Sequence, residues 1–316
     1  MIFGREGENV KNVSYSSVKA GRKLGSRFRL DISAYLLLIP SAFCIYFMIL
    51  RPQVLSIVYS FFNMKGFKVA DFAGLDNYRR VFADPVFWKA FGNTWKYIFW
   101  SLLLGFPLPF IVAIMLNEII HFRKTARVLI YLPAILPGVA VSLLWYFMYY
   151  PDQSGLLNSI LVKFGMEPYL WLQDTKWVIA YIVVSMTWSG FGSTALYYFA
   201  GLQGINRELY ESAVIDGAGF FRRHWVVTVP QMSGMLFLFA IRQCIAVFNI
   251  MDQPMQMTDG GPNNASISLG LLSYRYGFAN YQQQLAVALG VIMLLVTIVF
   301  AIIYIRLDRR LEENQM

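Results

Sequence analysis

Six stretches of this chain run for about twenty residues with almost no charge, and that pattern leaves few folds open. They are residues 32–50, 97–116, 128–150, 177–201, 231–251 and 285–305, and Arg242 is the one charged side chain among them. Crossing ~30 Å of hydrocarbon takes about 20 helical residues. Hydrocarbon offers no partner to a free backbone N–H or C=O, so each run is expected to be a helix. A membrane β-barrel needs ten-residue segments of alternating polarity, and the sequence contains none. Composition agrees, since 14% of residues are charged against about 25% in a soluble domain. The expected fold class is all-α, a polytopic membrane protein with six transmembrane helices forming one domain over 32–305. Residues 1–31 read as an N-terminal tail and 306–316 as a C-terminal tail. The first apolar run is too long for a signal peptide and lacks a small-residue cleavage site, so it is expected to remain as an anchor.

Six spans put both termini on one side. Segments 1–31, 118–127, 202–230 and 306–316 carry 16 Lys/Arg over 81 residues, and the opposite segments 51–96, 151–176 and 252–283 carry 10 over 104. The bias places both termini in the cytoplasm of a multi-pass cell-membrane protein, although Lys65, Lys68, Arg79, Arg80 and Lys89 weigh against it in the first outer loop. The net charge of +9 is scattered among loops, a pattern of topology and lipid contact that excludes a nucleic-acid face. Cys44 and Cys244 fall inside expected spans and form no disulfide or metal framework. Only His121 and His224 are present, both in cytoplasmic loops, which counts against an enzyme site at membrane depth.

In the first outer loop, Val54, Leu55, Val58, Phe61 and Phe62 recur at helical spacing, and Asp84-Pro85 reads as a helix start. Pro40, Pro107, Pro109, Pro133 and Pro137 lie inside spans and are expected to kink them.

The most informative stretch is the loop over 208–230. Leu209, Ala213 and Asp216 recur at four-and-three spacing, as do Tyr210, Val214 and Gly217, with Gly217 and Gly219 closing a short helix. Apolar Leu209, Val214 and Ile215 among acids in a cytoplasmic loop call for a partner groove. The alternative is a plain connector whose glycines turn the chain and whose Pro230 starts the fifth span. Asn206, just ahead of the helix, is expected to have no part in coupling, so its replacement by alanine should be nearly silent.

Glu211-Ser212-Ala213, three residues, Gly217, nine residues, then Val227-Thr228-Val229-Pro230 resembles the EAA loop of binding-protein-dependent ABC importers, position for position in spacing. Gly74-Leu75-Asp76-Asn77-Tyr78, Gly155-Leu156-Leu157-Asn158 and Gly260-Gly261-Pro262 resemble permeases of carbohydrate importers of the maltose and glycerol-phosphate type. The resemblance implies a cytoplasmic coupling helix in which Glu211, Ser212, Ala213, Asp216, Gly217 and Pro230 meet an ATPase. It implies as partners a second permease, most simply a paralogue forming a heterodimer, two ATPase subunits, an extracytoplasmic solute-binding protein and a carbohydrate substrate. ATP and Mg belong on the ATPase subunits, because this chain lacks the Gly-x4-Gly-Lys-Ser/Thr loop that cradles phosphate.

Candidate cargo contacts are the polar and aromatic groups at membrane depth, where ionisable residues are costly and face a cavity or a partner. They are Arg242, Gln243, Asn249, Asp252, Trp188 and Tyr197. Arg242 serves equally well as an interface ion pair, and Trp188 and Tyr197 as helix packing. The competing class is a secondary transporter driven by an ion gradient, which calls for internal repeats and a relay of buried acids; neither is evident in the sequence.

Overall fold

The computed structural model describes residues 32–66, 68–119 and 121–313, with side-chain burial from 38 to 309. The expected tail 1–31 lies outside the described residues. By contact the chain falls into two units, Met1–Pro52 and Gln53–Met316. In the first, α1 (Ile32–Ile45) runs into a π-helical turn, Tyr46–Leu50.

From α2 (Arg51–Tyr59) the chain enters a hairpin of β1 (Phe62–Lys65) and β2 (Lys68–Phe72), followed by α3 (Asp76–Ala83). Helices α4 (Pro85–Trp100) and α5 (Pro107–Glu118) follow, then α6 (Arg123–Ile135), α7 (Gly138–Met148) and α8 (Leu156–Lys163). The remainder is α9 (Val178–Leu202), α10 (Arg207–Ile215), α11 (Phe220–Arg223), α12 (Val229–Phe248), α13 (Asp252–Thr258), α14 (Leu269–Tyr274) and α15 (Gln283–Glu313). The protein is mostly helical, with five helices long and apolar enough to cross a membrane and a sixth if the bent pair α6–α7 is one span.

Four spans depart from the sequence reading in their boundaries. The first apolar helix reaches Tyr59, so Val54, Leu55 and Val58 continue it, while Phe61 lies in a turn and Phe62 opens β1. Residues 97–116 sit within one helical stretch from Pro85 to Glu118, and the fifth stretch begins at Phe220 rather than 231. The last helix runs on to Glu313, through most of the expected tail.

Proline explains most of this. Before Pro52, Pro107 and Pro230 lies a π-helical turn in which the preceding residue donates its N–H five residues back: Arg51 to Tyr46, Phe106 to Ser101 and Val229 to His224. That wider loop absorbs the frame lost where proline has no N–H, so the helix continues. Pro137 has no such turn. Leu136 before it takes ψ 139° and Pro137 takes ψ 134°, the extended backbone that proline favours in its predecessor, and α6 meets α7 at 91°. Asp84 caps α4 as its sequence predicts, accepting from Val86 N at 2.8 Å with Pro85 at the first position.

Two cores hold the second unit. One gathers Tyr97, Ile182, Phe248, Ile267, Leu271 and Leu289 from α4, α9, α12, α14, α15 and the segment before α14. The other gathers Ala113, Leu116, Tyr198, Phe199, Leu202 and Met232 from α5, α9 and α12. Between α6 and α9 the backbones nearly touch: a Cβ on Gly192 would lie 1.9 Å from Ile130 O. Small residues permit such approach where no apolar driving force separates helix from lipid.

Candidate functional site

Helix α10 is defined at both ends by its own sequence. Asn206 accepts from Glu208 N at 3.1 Å, satisfying one of the donors that a helix start leaves free. At the other end Gly217 has φ +77°, Ala218 N donates to Ala213 O at 2.9 Å and Gly217 N to Val214 O at 3.0 Å. This is the double bond pattern that closes a helix through a left-handed residue. Gly219 differs from expectation: at φ −68° and ψ 176° it is ordinary extended backbone that starts α11.

The faces of α10 divide cleanly. Ala213 is buried, whereas Glu211, Ser212, Val214, Asp216 and Gly217 are exposed. Ile215 and Phe221 are each 85% exposed and Trp225 74%. These exposed apolar side chains lie in the same loop as the acids Glu208, Glu211 and Asp216. Pro230, also exposed, lies in the first turn of α12.

On the inner side, Tyr210 OH and Thr228 Oγ1 lie 2.9 Å apart, and Thr228 Oγ1 is 2.8 Å from His224 Nδ1. Thr228 and His224 are buried. His224 Nε2 and Arg223 Nη2 lie 3.5 and 3.3 Å from Glu118 Oε1 at the end of α5, and the Arg223 guanidinium sits 6.0 Å from the Tyr210 ring. One polar chain therefore ties α10 to the base of α12 and to the end of α5. Sequence reasoning named Tyr210, His224 and Thr228 without linking them, and missed Glu118 and Arg223. The capping pattern at Asn206 and the i, i+4 pair His224/Thr228 were available to it, but Glu118 is 105 residues from Arg223 and nothing local links them.

The expected cargo contacts do not converge in one place. Arg242 and Tyr197 meet around Phe239, with the Arg242 guanidinium 5.7 Å and the Tyr197 ring 5.8 Å from its centre. Both are exposed at membrane depth. Gln243 instead donates to Ser101 Oγ at 2.6 Å, and Trp188 packs edge-on against Trp145. Asn249 is exposed but bonds back to Ile245 O at 2.9 Å, and Asp252 is exposed in the first turn of α13.

The short loop motifs around Asn77, Asn158 and Gly260-Gly261-Pro262 are internal ties. Asn77 donates to Ser60 O and Phe62 O, each at 2.9 Å, and so pins the hairpin. Asn158 donates to Tyr150 O and Tyr169 O while accepting from Tyr169 N and Trp171 Nε1. The Gly260-Gly261-Pro262 turn is held through Ser266, whose Oγ donates to Gly261 O at 2.6 Å and lies 2.7 Å from Thr258 Oγ1.

A family described as the binding-protein-dependent transport system inner membrane component matches residues 105–313. The multiple sugar-binding transport system permease protein MsmF of Streptococcus mutans is 32% identical over 83% of this chain and 90% of its own. The lactose transport system permease protein LacF of Rhizobium radiobacter is 31% identical over 78% and 84%. A chain of a bacterial alginate ABC transporter, solved in complex with an alginate pentasaccharide-bound periplasmic protein, superposes with TM-score 0.77 at 24% identity. That superposition covers 89% of this chain and 95% of the other, and it shows a shared fold. With the family match spanning most of its spans and the α10 loop, this chain is a member of the binding-protein-dependent transport system inner membrane components, a transport subunit rather than an enzyme.

Proposed function

We propose that this permease passes a sugar or oligosaccharide, handed over by an extracytoplasmic binding protein, across a prokaryotic cell membrane by alternating access. It pairs with a second permease, and two ATPase subunits that hold ATP and Mg seat on the two coupling helices. The supporting observation is α10: capped at both ends, exposed along Glu211, Ser212, Asp216 and Gly217, and joined on its other side to α12 and α5 through Tyr210, Thr228, His224 and Glu118. Nucleotide-driven closure of the ATPases would move α10, and the bonds from Tyr210 to Thr228 and from Arg223 to Glu118 would carry that displacement to α12 and α5. The Lys/Arg bias supports placing α10 and both termini in the cytoplasm. For the cargo path, Arg242 and Tyr197 carry the most weight, because an exposed cation at membrane depth needs a cavity or partner beside it. Asn249 at the end of α12 and Asp252 at the start of α13 supply sugar hydroxyl partners, while Gln243 and Trp188 support the path from behind. The test is uptake of labelled oligosaccharides into proteoliposomes holding the purified assembly with its binding protein. Uptake is expected to need internal ATP and to survive a protonophore. Uptake that collapses with the protonophore and ignores ATP would overturn the proposal in favour of a secondary transporter.

A further inference from the structure

The connection between α5 and α6 lies at the α10 end of the molecule, since Glu118 there bonds Arg223. Beside it the start of α6 lines an open cleft of about 460 Å³ with Phe122, Arg123, Lys124 and Arg127. The ion pairs among the described residues leave all three cations out. They crowd the start of a 13-residue helix whose first turn has no acid and whose cap, Phe122, offers no side-chain acceptor. Positive side chains at the positive end of a helix repel both the dipole and each other, so this arrangement calls for an anion. The guanidinia are also held in place. Arg123 donates to Ile119 O and Asn117 O at 2.8 Å each, and Arg123 and Arg127 lie 5.9 and 5.4 Å from the Phe199 ring. Beside them Phe122, at φ 62°, is 83% exposed. Val128 and Leu129, a turn further along α6, are 67% and 62% exposed. Fixed cations with an exposed apolar flank match a phosphate that carries acyl chains.

We propose that this cleft holds the headgroup of an anionic phospholipid, with Phe122, Val128 and Leu129 against its acyl chains. The assignment rests on the reading that the α10 end faces the cytoplasm at the membrane surface. Lipid retention is measured without transport, so its failure is distinct from failure of the importer reading. Cysteines placed at Lys163 and Arg222, in a background without Cys44 and Cys244, report the side separately through an impermeant thiol reagent. The experiment uses the whole assembly, purified from phosphatidylcholine nanodiscs with or without phosphatidylglycerol, and counts lipids retained by native mass spectrometry. Wild type should retain phosphatidylglycerol, and inorganic phosphate should not displace it. Lys124→Gln with Arg127→Gln should lower retention about thirtyfold, about fivefold per charge. Phe122→Ala, which leaves every charge, should weaken it less, and Arg222→Gln, outside the cleft, should not change it. Equal retention by wild type and the double variant overturns the proposal. So does displacement by phosphate, which indicates a free-anion site, or loss of the ATPase with lipid retention unchanged, which indicates an acidic partner surface.

Discussion

Gly217 is the position where one added carbon tests the coupling reading most directly. Its φ of +77° is open to glycine, and a Cβ built there meets nothing within 4 Å. Any cost inside this chain is therefore backbone cost alone: about 1–2 kcal/mol for an L-residue in the left-handed region, more for a β-branched side chain and less for asparagine. A penalty of that size lowers the population with a correctly closed α10 end roughly 5- to 30-fold, by weakening the bonds from Ala218 N to Ala213 O and from Gly217 N to Val214 O. The spans are untouched, so insertion should be normal. Gly217→Asn, Gly217→Ala and Gly217→Val should reduce coupling in increasing order. Each variant is purified, and ATPase co-purification, ATP hydrolysis and uptake are read together. Gly217→Val with full uptake and its ATPase still bound would refute the coupling role. If Gly217→Asn fails as badly as Gly217→Val, the defect lies in bulk at the partner surface and the backbone argument is wrong.

Asn206→Ala, which the sequence leads one to expect silent, removes the cap that accepts from Glu208 N and should cost about 1 kcal/mol of local stability, enough to slow uptake; unchanged uptake would show that the cap is dispensable. Tyr210→Phe should uncouple ATP hydrolysis from uptake while the ATPase stays bound; preserved coupling would mean the polar chain through Thr228 is only a brace. Gly192→Ala should lower the thermal midpoint, because its Cβ would collide with Ile130 O and overpacking costs typically 1–3 kcal/mol. An unchanged midpoint would show that α6 and α9 cross more loosely than described. Asn249→Ala and Asp252→Ala should raise the cargo concentration needed for half-maximal uptake about ten- to hundredfold if each supplies a charge-assisted or polar bond; unchanged kinetics in both moves the path to Arg242 and Tyr197.

Spans and family were legible because both are written locally. Uncharged runs report the solvent around a helix, and the spacing from Glu211 to Pro230 is one-dimensional. The ends of α10 were half legible: Gly217 announced a left-handed closure, whereas Gly219 looked the same in sequence and turned out extended, since glycine's freedom says nothing about how it is used. Proline was read too simply. Pro107 and Pro137 are equally visible, yet a π-helical turn absorbs one and the other breaks the helix by 91°. The choice depends on whether the preceding N–H finds a carbonyl five residues back. Asn77 and Asn158 stand in the sequence as parts of short loop motifs, and only the folded contacts make them ties between segments.

By itself, then, the sequence determined that this chain is a helical membrane protein with a short glycine-closed helix in the loop over 208–230, because hydrophobicity and spacing act along the chain. Tertiary structure alone decided what that loop is bonded to. Glu118 reaches Arg223 and His224, and Tyr210 reaches Thr228, only when α5, α10 and α12 are folded together, because hydrogen bonds and ion pairs depend on distances of a few ångströms that no local pattern encodes.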